Sequence, residues 1–177
     1  MNPLINLAKK AVESYVKNGK IIEPPEDLPR EFLRRRAGTF VTIEKNGELR
    51  GCIGTYLPVR KNIAEEIIYS AVAAATEDYR FGKIAKEEFS DISYTIYILN
   101  EPESIKDISE LNPKKYGIII KTAPTAHSVL KCGLLLPDIE GVDTIEQQIS
   151  IACQKGGIYP EKEQIMIFRF TAEKYGQ

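Results

Sequence analysis

The sequence predicts an α+β fold with a mostly antiparallel sheet and flanking helices. Three patterns support this prediction: a hairpin signal at Asn46-Gly47, two helical segments with capping residues, and helices and strands that alternate without a regular βαβ repeat. A chain of 177 residues can bury one sizeable core, so we expect a single domain over 1–177 that could contain two lobes.

The N-terminal segment 3–20 has the residue spacing of an amphipathic helix. Its predicted buried stripe consists of apolar residues at helical spacing: Leu4, Ala8, Ala11, Val12, Tyr15 and Val16. Gly19 is placed to end this helix. The proline-rich stretch 23–29 that follows is incompatible with regular structure, so we expect an extended crossing there.

The segments 39–45 and 48–56 flank Asn46-Gly47, which is typical of a two-residue turn between antiparallel strands. The register that follows pairs Lys45 with Glu48, and further along Ile43 with Arg50, Val41 with Cys52 and Phe40 with Ile53. Strand alternation then predicts a core face with Phe40, Thr42, Leu49, Ile53 and Thr55. The same alternation predicts an outer face with Val41, Ile43, Arg50, Cys52 and Gly54.

The remaining elements follow from caps and periodicity. Asn62 with Glu65 predicts the start of a helix that ends near Tyr79, and Asp143 with Glu146 predicts the start of another that Gly156-Gly157 ends. Segments rich in β-branched and aromatic residues predict four further strands, at 91–99, 116–121, 129–136 and 164–171.

Composition and charge exclude several classes of function. Hydrophobic residues make up 43% and charged residues 28%, and a net charge of -1 offers no basic excess for nucleic acid. Neither a signal peptide nor an apolar run of about 20 residues is present, so we expect a cytoplasmic protein with no membrane partner. The dispersed Cys52, Cys132 and Cys153 with a lone His127 predict no metal site, and we expect no cofactor.

The predicted outer face of the second hairpin strand carries a candidate site. Arg50 and Cys52 alternate onto one side, and Gly54 would leave a gap beside the sulfur. A guanidinium near a thiol favours the nucleophilic thiolate, but a free cysteine is also a common packing residue, and both interpretations remain open. His127, in a loop segment, is not assigned as a base for Cys52.

The segment Gly47-Glu48-Leu49-Arg50-Gly51-Cys52-Ile53-Gly54-Thr55 resembles the hallmark of the AMMECR domain family. Further similarities include Asp78-x-Arg80-Phe81, Leu111-x-Pro113, Gly133 to Pro137 and Lys155-x-Gly157. The resemblance implies two unequal lobes with a cleft lined by the signature strand, in a prokaryotic stand-alone form. It also implies a functional association with a Memo-type protein and a radical-SAM protein.

The same resemblance points to Asp78 and Arg80, which with Arg50 could bind an anionic or zwitterionic small molecule. Thr55 could donate to that ligand. We therefore expect a protein that binds a small ligand or a partner through Arg50, Gly51, Gly54, Thr55, Asp78 and Arg80. The alternative is an enzyme that uses Cys52 as nucleophile or redox thiol with Arg50 as anchor, and RNA binding ranks third.

Overall fold

The structure, a computed structural model, describes residues 2–124 and 129–176 of the chain. Two compact units are distinguished, one formed by residues 1–99 together with 173–177 and the other by residues 100–172. Both contain a four-stranded antiparallel sheet, which confirms the predicted α+β class. The assignment of 1–177 as one domain stays a prediction.

The first unit contains three helices and a sheet. Its helices are α1 (Pro3–Asn18), α2 (Arg30–Arg34) and α3 (Ile63–Thr76). Its strands are β1 (Thr39–Lys45), β2 (Glu48–Gly54), β3 (Ile92–Leu99) and β8 (Ala172–Tyr175), in the order β2-β1-β3-β8. Since β2 is an outermost strand, one of its edges has no neighbouring strand among the described residues.

Sequence features account for the ends of these helices. The Asn2 side chain accepts a hydrogen bond from the amide of Leu4, and Gly19 closes α1 in the left-handed conformation. Asn62 caps α3 through the amide of Glu65, as predicted, although α3 ends at Thr76, before Tyr79. Between the helices and the sheet, the core of the first unit includes Leu4, Ala8, Val12, Ile67, Ala71, Val41, Ile43 and Ile96.

The second unit packs one helix on its sheet. Its strands β4 (Glu103–Ser104), β5 (Gly117–Thr122), β6 (Cys132–Leu135) and β7 (Ile165–Phe170) lie in the order β4-β7-β5-β6. The helix α4 (Ile145–Gly156) completes a core that includes Ile118, Ile120, Leu135, Ala152 and Ile158. The cap prediction at Asp143 was wrong by one position, since Thr144 caps α4 and Gln147 reciprocates. Gly157 ends the helix as predicted.

The hairpin turn is as predicted, with positive φ at Asn46 and Gly47, but the register beyond it is different. Lys45 pairs with Glu48 and Glu44 with Leu49, after which a bulge at Arg50 shifts the pairing by one residue. The resulting pairs are Ile43 with Gly51, Thr42 with Cys52, Val41 with Ile53 and Phe40 with Gly54.

The shifted register reverses the faces predicted for β1 and for Leu49, because a shift of one residue moves a side chain to the opposite side of a sheet, whereas Cys52 and Ile53 keep their predicted faces. Val41 and Ile43, predicted to point outward, are fully buried, whereas Leu49, predicted for the core, is 43% exposed. The assignment of Phe40, Thr42 and Leu49 to the core was therefore wrong, while Ile53 does pack against the core.

Candidate functional site

The outer edge of β2 contacts the chain segment that follows α3. The amide of Cys52 donates a hydrogen bond of 2.9 Å to Oδ2 of Asp78, two residues beyond the end of that helix. An unpaired strand edge can pair with another chain unless something covers it, and the Asp78 carboxylate occupies the position of a strand partner there. Two sequence motifs that are 26 residues apart are thus joined at one point.

Asp78 also fixes the side chain of Arg80. The Nε and Nη2 atoms of Arg80 donate to the two carboxylate oxygens at 2.9 and 2.7 Å, a bidentate pair. This pairing with Arg80 lowers the pKa of the buried Asp78 carboxyl to about 2, and the Cys52 amide contributes to the shift. Conversely, the Asp78 carboxylate raises the pKa of Arg80, with a smaller contribution from the nearby Cys52.

Arg50 contacts a different part of the same segment. Its Nε and Nη2 donate to the two oxygens of Glu88 at 3.0 Å, and Nη1 and Nη2 reach the carbonyls of Gly82 and Lys83. The pKa of Glu88 is lowered to about 2, and the hydrogen bonds from Arg50 are the largest cause. Lys45 also binds that carboxylate. Arg50 therefore ties β2 to residues 82–88, a role that the sequence did not indicate.

The Cys52 thiol lies on the side of the hairpin opposite the helices. Its side chain is half-buried, and the Thr42 hydroxyl donates to Sγ at 3.2 Å across the strand pair. A hydrogen bond donated to sulfur stabilises the thiolate relative to the thiol. The geometry thus brings Cys52 together with Asp78 and Arg80, three of the predicted site residues.

The two glycines of the signature have structural roles. A Cβ atom on Gly51 would overlap the carbonyl oxygen of Ala74, so α3 approaches the backbone of β2 directly. A Cβ atom on Gly54 would overlap the carbonyl of Thr39 and the side chain of Phe40. The prediction that Gly54 leaves an unfilled gap beside the sulfur was wrong, because β1 already fills that space.

Thr55 lies next to a carboxylate that sequence reasoning missed. Its hydroxyl donates to Glu66, an α3 residue that is only 1% exposed and also accepts from the amides of Val59 and Arg60. Thr55 is thus engaged in holding the chain after β2. No sequence signal identified Glu66, since a glutamate in the first turn of a helix is common.

Tyr79 was also missed, although it lies between the two motif residues Asp78 and Arg80. Its side chain is 95% exposed. The turn around it is ordered by two hydrogen bonds, from the Phe81 amide to the Asp78 carbonyl and from the Arg80 amide to the Asp78 carboxylate. Its position inside the motif was the available signal.

Several other features bear on function. Within residues 2–124 and 129–176 no cluster of three or more histidine, cysteine or acidic side chains could hold a metal ion, and no helix is long and apolar enough to cross a membrane. His127 lies outside the described residues. A groove of about 740 Å³ in the second unit is lined by residues such as Ile149, Cys153 and Ile158, none of them a predicted site residue.

The chain is similar to several known proteins. The AMMECR1 family model matches residues 5–175. A protein from Thermotoga maritima is 50% identical over 98% of this chain and 97% of its own length. Protein CA_C1420 from Clostridium acetobutylicum is 42% identical over 98% of this chain, which spans 35% of that longer relative. The crystal structure of uncharacterized protein PH0010 from Pyrococcus horikoshii has a TM-score of 0.87 and 31% identity, covering 98% of this chain and 89% of that one.

Proposed function

Because the chain belongs to the AMMECR1 family, we propose that it is a binding protein whose site combines the Cys52 edge of β2 with the exposed Tyr79 and Arg80. The ligand is an anionic group, a carboxylate or a phosphate, carried by a small molecule or by a partner protein. The observation that supports this most strongly is that Asp78 orients the Arg80 guanidinium while part of it stays exposed.

Arg80 is fixed in place and still has donors available. Asp78 holds Nε and Nη2, while the side chain remains 39% exposed and Nη1 has no hydrogen-bond partner among the described residues. A guanidinium oriented in advance loses little side-chain entropy on binding, and it suits the geometry of carboxylates and phosphates. Arg80 is thus a better anchor for an anion than Arg50, whose donors already bind Glu88 and two carbonyls.

Tyr79 adds contact area beside that cation. A large aromatic ring that is almost entirely exposed, on a turn with defined hydrogen bonds, is typical of residues that contribute strongly to binding. Together, Tyr79 and Arg80 offer stacking and a charge-assisted hydrogen bond within two consecutive residues.

The partners proposed for this site are a Memo-type protein and a radical-SAM protein, as the family resemblance implies. The Clostridium acetobutylicum relative supports the idea of joint action, since it carries a similar domain within a much longer chain. A similar segment within a longer chain is consistent with a function exerted through contacts with other polypeptide segments.

The alternative function is an enzyme that uses Cys52 as nucleophile or redox thiol. The hydrogen bond from Thr42 to Sγ and the proximity of Arg80 favour it. It predicts that Cys52 reacts with iodoacetamide with a thiol pKa below the ordinary value of about 8.5. An alkylation rate that titrates near that ordinary value would eliminate the nucleophile.

The binding proposal is tested by calorimetric titration with the purified Memo-type and radical-SAM proteins of the same organism. We expect Arg80→Gln to weaken binding at least about tenfold, as the loss of a charged hydrogen bond does, and Cys52→Ser to leave it within about twofold. Arg34→Gln, which removes an exposed arginine of the same unit, serves as the matched control. Unchanged affinity in Arg80→Gln would contradict the proposal.

A further inference from the structure

The loop between β2 and α3 exposes two neighbouring aliphatic side chains. Leu57 is 51% exposed and Val59 is 63% exposed, and both belong to the segment 56–61, which we call the 56–61 loop. Single exposed aliphatic residues are common on protein surfaces and need no explanation. Leu57 and Val59 differ from such single residues because hydrogen bonds hold the backbone of the loop that carries them.

The backbone of the 56–61 loop is held from two sides. On one side, the buried Glu66 carboxylate accepts hydrogen bonds from the amides of Val59 and Arg60. On the other side, the Arg36 guanidinium donates to the carbonyls of Pro58 and Arg60 at 3.3 and 3.2 Å. The loop therefore presents its apolar side chains on a fixed backbone.

This arrangement uses a buried charge. A carboxylate is costly to bury unless hydrogen bonds compensate, and here the compensating donors are the loop amides and the Thr55 hydroxyl. A loop ordered before binding loses little conformational entropy when a partner docks on it. Glu66 thus orders a surface that would otherwise have to become ordered on contact.

The exposed charges around the loop are mostly positive, since one of its two neighbouring carboxylates, Glu66, is buried. Arg36 lies against it, the Cζ atom of Arg60 lies 3.7 Å from the ring centre of Tyr69, and Lys61 is highly exposed. The acidic Glu65 is 4.0 Å from Lys61 and also accepts from its amide. Charge complementarity therefore favours an acidic occupant.

We propose that the 56–61 loop is a docking surface for an acidic segment of a partner protein that carries aliphatic side chains beside its carboxylates. Leu57 and Val59 would contact those aliphatic groups, and the surrounding cations would face the carboxylates. The surface is separate from the Arg80 site in its residues, and its existence does not depend on the function proposed for Arg80.

A membrane or an RNA fits this surface less well. A single myristoyl chain gives only marginal membrane binding, and Leu57 and Val59 together contain fewer carbon atoms than that chain. Single-stranded RNA is usually bound on exposed aromatic rings, whereas Tyr56 and Tyr69 are both half-buried here and Arg60 lies over the Tyr69 ring. An acidic protein segment is therefore the occupant that the charges and the aliphatic side chains favour.

The test is an NMR titration of the full ¹⁵N-labelled chain with an acidic amphipathic peptide of glutamate and leucine. We expect amide shifts in the 56–61 loop, and we expect the double variant Leu57→Ser/Val59→Ser to weaken binding at least about tenfold. Ile108→Ser removes an aliphatic side chain of similar exposure, 50%, in the second unit and is expected to leave the affinity unchanged. Matching amide spectra of the variants away from the substituted sites show that the fold is retained.

Two further probes complete the design, a glutamate-serine peptide of equal length and vesicles containing phosphatidylserine. The glutamate-serine peptide is expected to bind at least about tenfold more weakly, because it lacks aliphatic groups. Equal affinity of the double variant, absence of shifts in the loop, or shifts with vesicles alone would overturn the proposal. Any amide shifts at Tyr79 and Arg80 are expected to disappear in Arg80→Gln while those of the 56–61 loop persist, which separates this outcome from a failure of the Arg80 site.

Discussion

Replacement of Asp78 by asparagine tests the hydrogen-bond arrangement at the edge of β2. The substitution preserves the size of the side chain but removes its charge, and it places amide hydrogens against the guanidinium of Arg80, which also donates. The Asp78 side chain is 4% exposed and that of Arg80 is 39% exposed, so solvent screens this pair less than an ion pair between two surface side chains. We therefore expect a measurable loss of stability.

The magnitude follows from the pKa of the carboxyl. The folded protein lowers the pKa of Asp78 from 3.8 to about 2. At about 1.36 kcal/mol per pKa unit, the ionised carboxylate stabilises the folded chain by roughly 2 kcal/mol near pH 7. Since the folded pKa is the lower one, this contribution is complete above the unfolded pKa and is lost as the pH falls through the folded pKa.

Urea unfolding of the original chain and of Asp78→Asn at several pH values measures the difference. We expect about 2 kcal/mol near pH 7 and roughly half of that near pH 3, where the unfolded carboxyl is largely protonated. Glu77→Gln removes an exposed charge one residue away and is expected to change stability by less than about 0.5 kcal/mol.

Amide exchange gives a local measurement that does not require the two units to unfold together. The Cys52 amide is expected to exchange faster in Asp78→Asn, because the uncharged amide oxygen is a weaker acceptor than the carboxylate. A destabilisation that is equal at both pH values, or one below about 0.5 kcal/mol, would refute the reasoning.

Three further substitutions are expected to destabilise the chain, each measurable by urea unfolding. Gly51→Ala places a methyl group against the backbone of α3 and should lower the free energy of unfolding by about 3 kcal/mol or more. Gly82→Ala, whose added methyl group meets open space, should be nearly neutral. Similar losses of stability in the two variants would contradict the close approach of α3 to β2. Glu88→Gln weakens the bidentate pair with Arg50 and should cost about 1 to 3 kcal/mol near pH 7, and no change would argue against that pair. Glu66→Leu leaves two loop amides without an acceptor and should cost about 2 to 6 kcal/mol, whereas a neutral result would show that the loop does not depend on this carboxylate.

Local sequence signals predicted the elements of the fold well. The turn at Asn46-Gly47, the cap at Asn62 and the end of α1 at Gly19 all depend on backbone conformations or side-chain bonds within a few residues. Such features are determined by near neighbours in the chain. The exchange of Asp143 for Thr144 as the cap of α4 reflects two adjacent residues that are both good caps.

The register of the hairpin was not predictable in the same way. A bulge at Arg50 satisfies two requirements from distant parts of the chain, the bonds of its guanidinium to residues 82–88 and the close approach of α3 at Gly51. Periodicity within one strand contains no information about either. For this reason the faces of β1 were assigned the wrong way round.

The sequence named two motifs that meet in the structure, but not the contacts that their residues make. The signature strand and the motif at Asp78 and Arg80 do meet, yet Arg50 and Thr55 are engaged in internal hydrogen bonds, with Glu88 and Glu66 respectively. A sequence shows which residues are chemically capable, whereas the contacts with Glu88 and Glu66 depend on the three-dimensional arrangement. Arg80 and Tyr79, rather than Arg50, are therefore the residues that we propose for ligand binding.

The hydrogen bond between the Cys52 amide and Asp78 has a consequence for solubility. An outermost strand whose amides lack acceptors is a template on which a second molecule can add a strand, and repeated addition leads to aggregates. Asp78 occupies one amide of β2 with a negative charge, which is also unfavourable to an approaching backbone carbonyl. The carboxylate that orients Arg80 thus also disfavours the addition of a strand from a neighbouring copy of the chain at this position of β2.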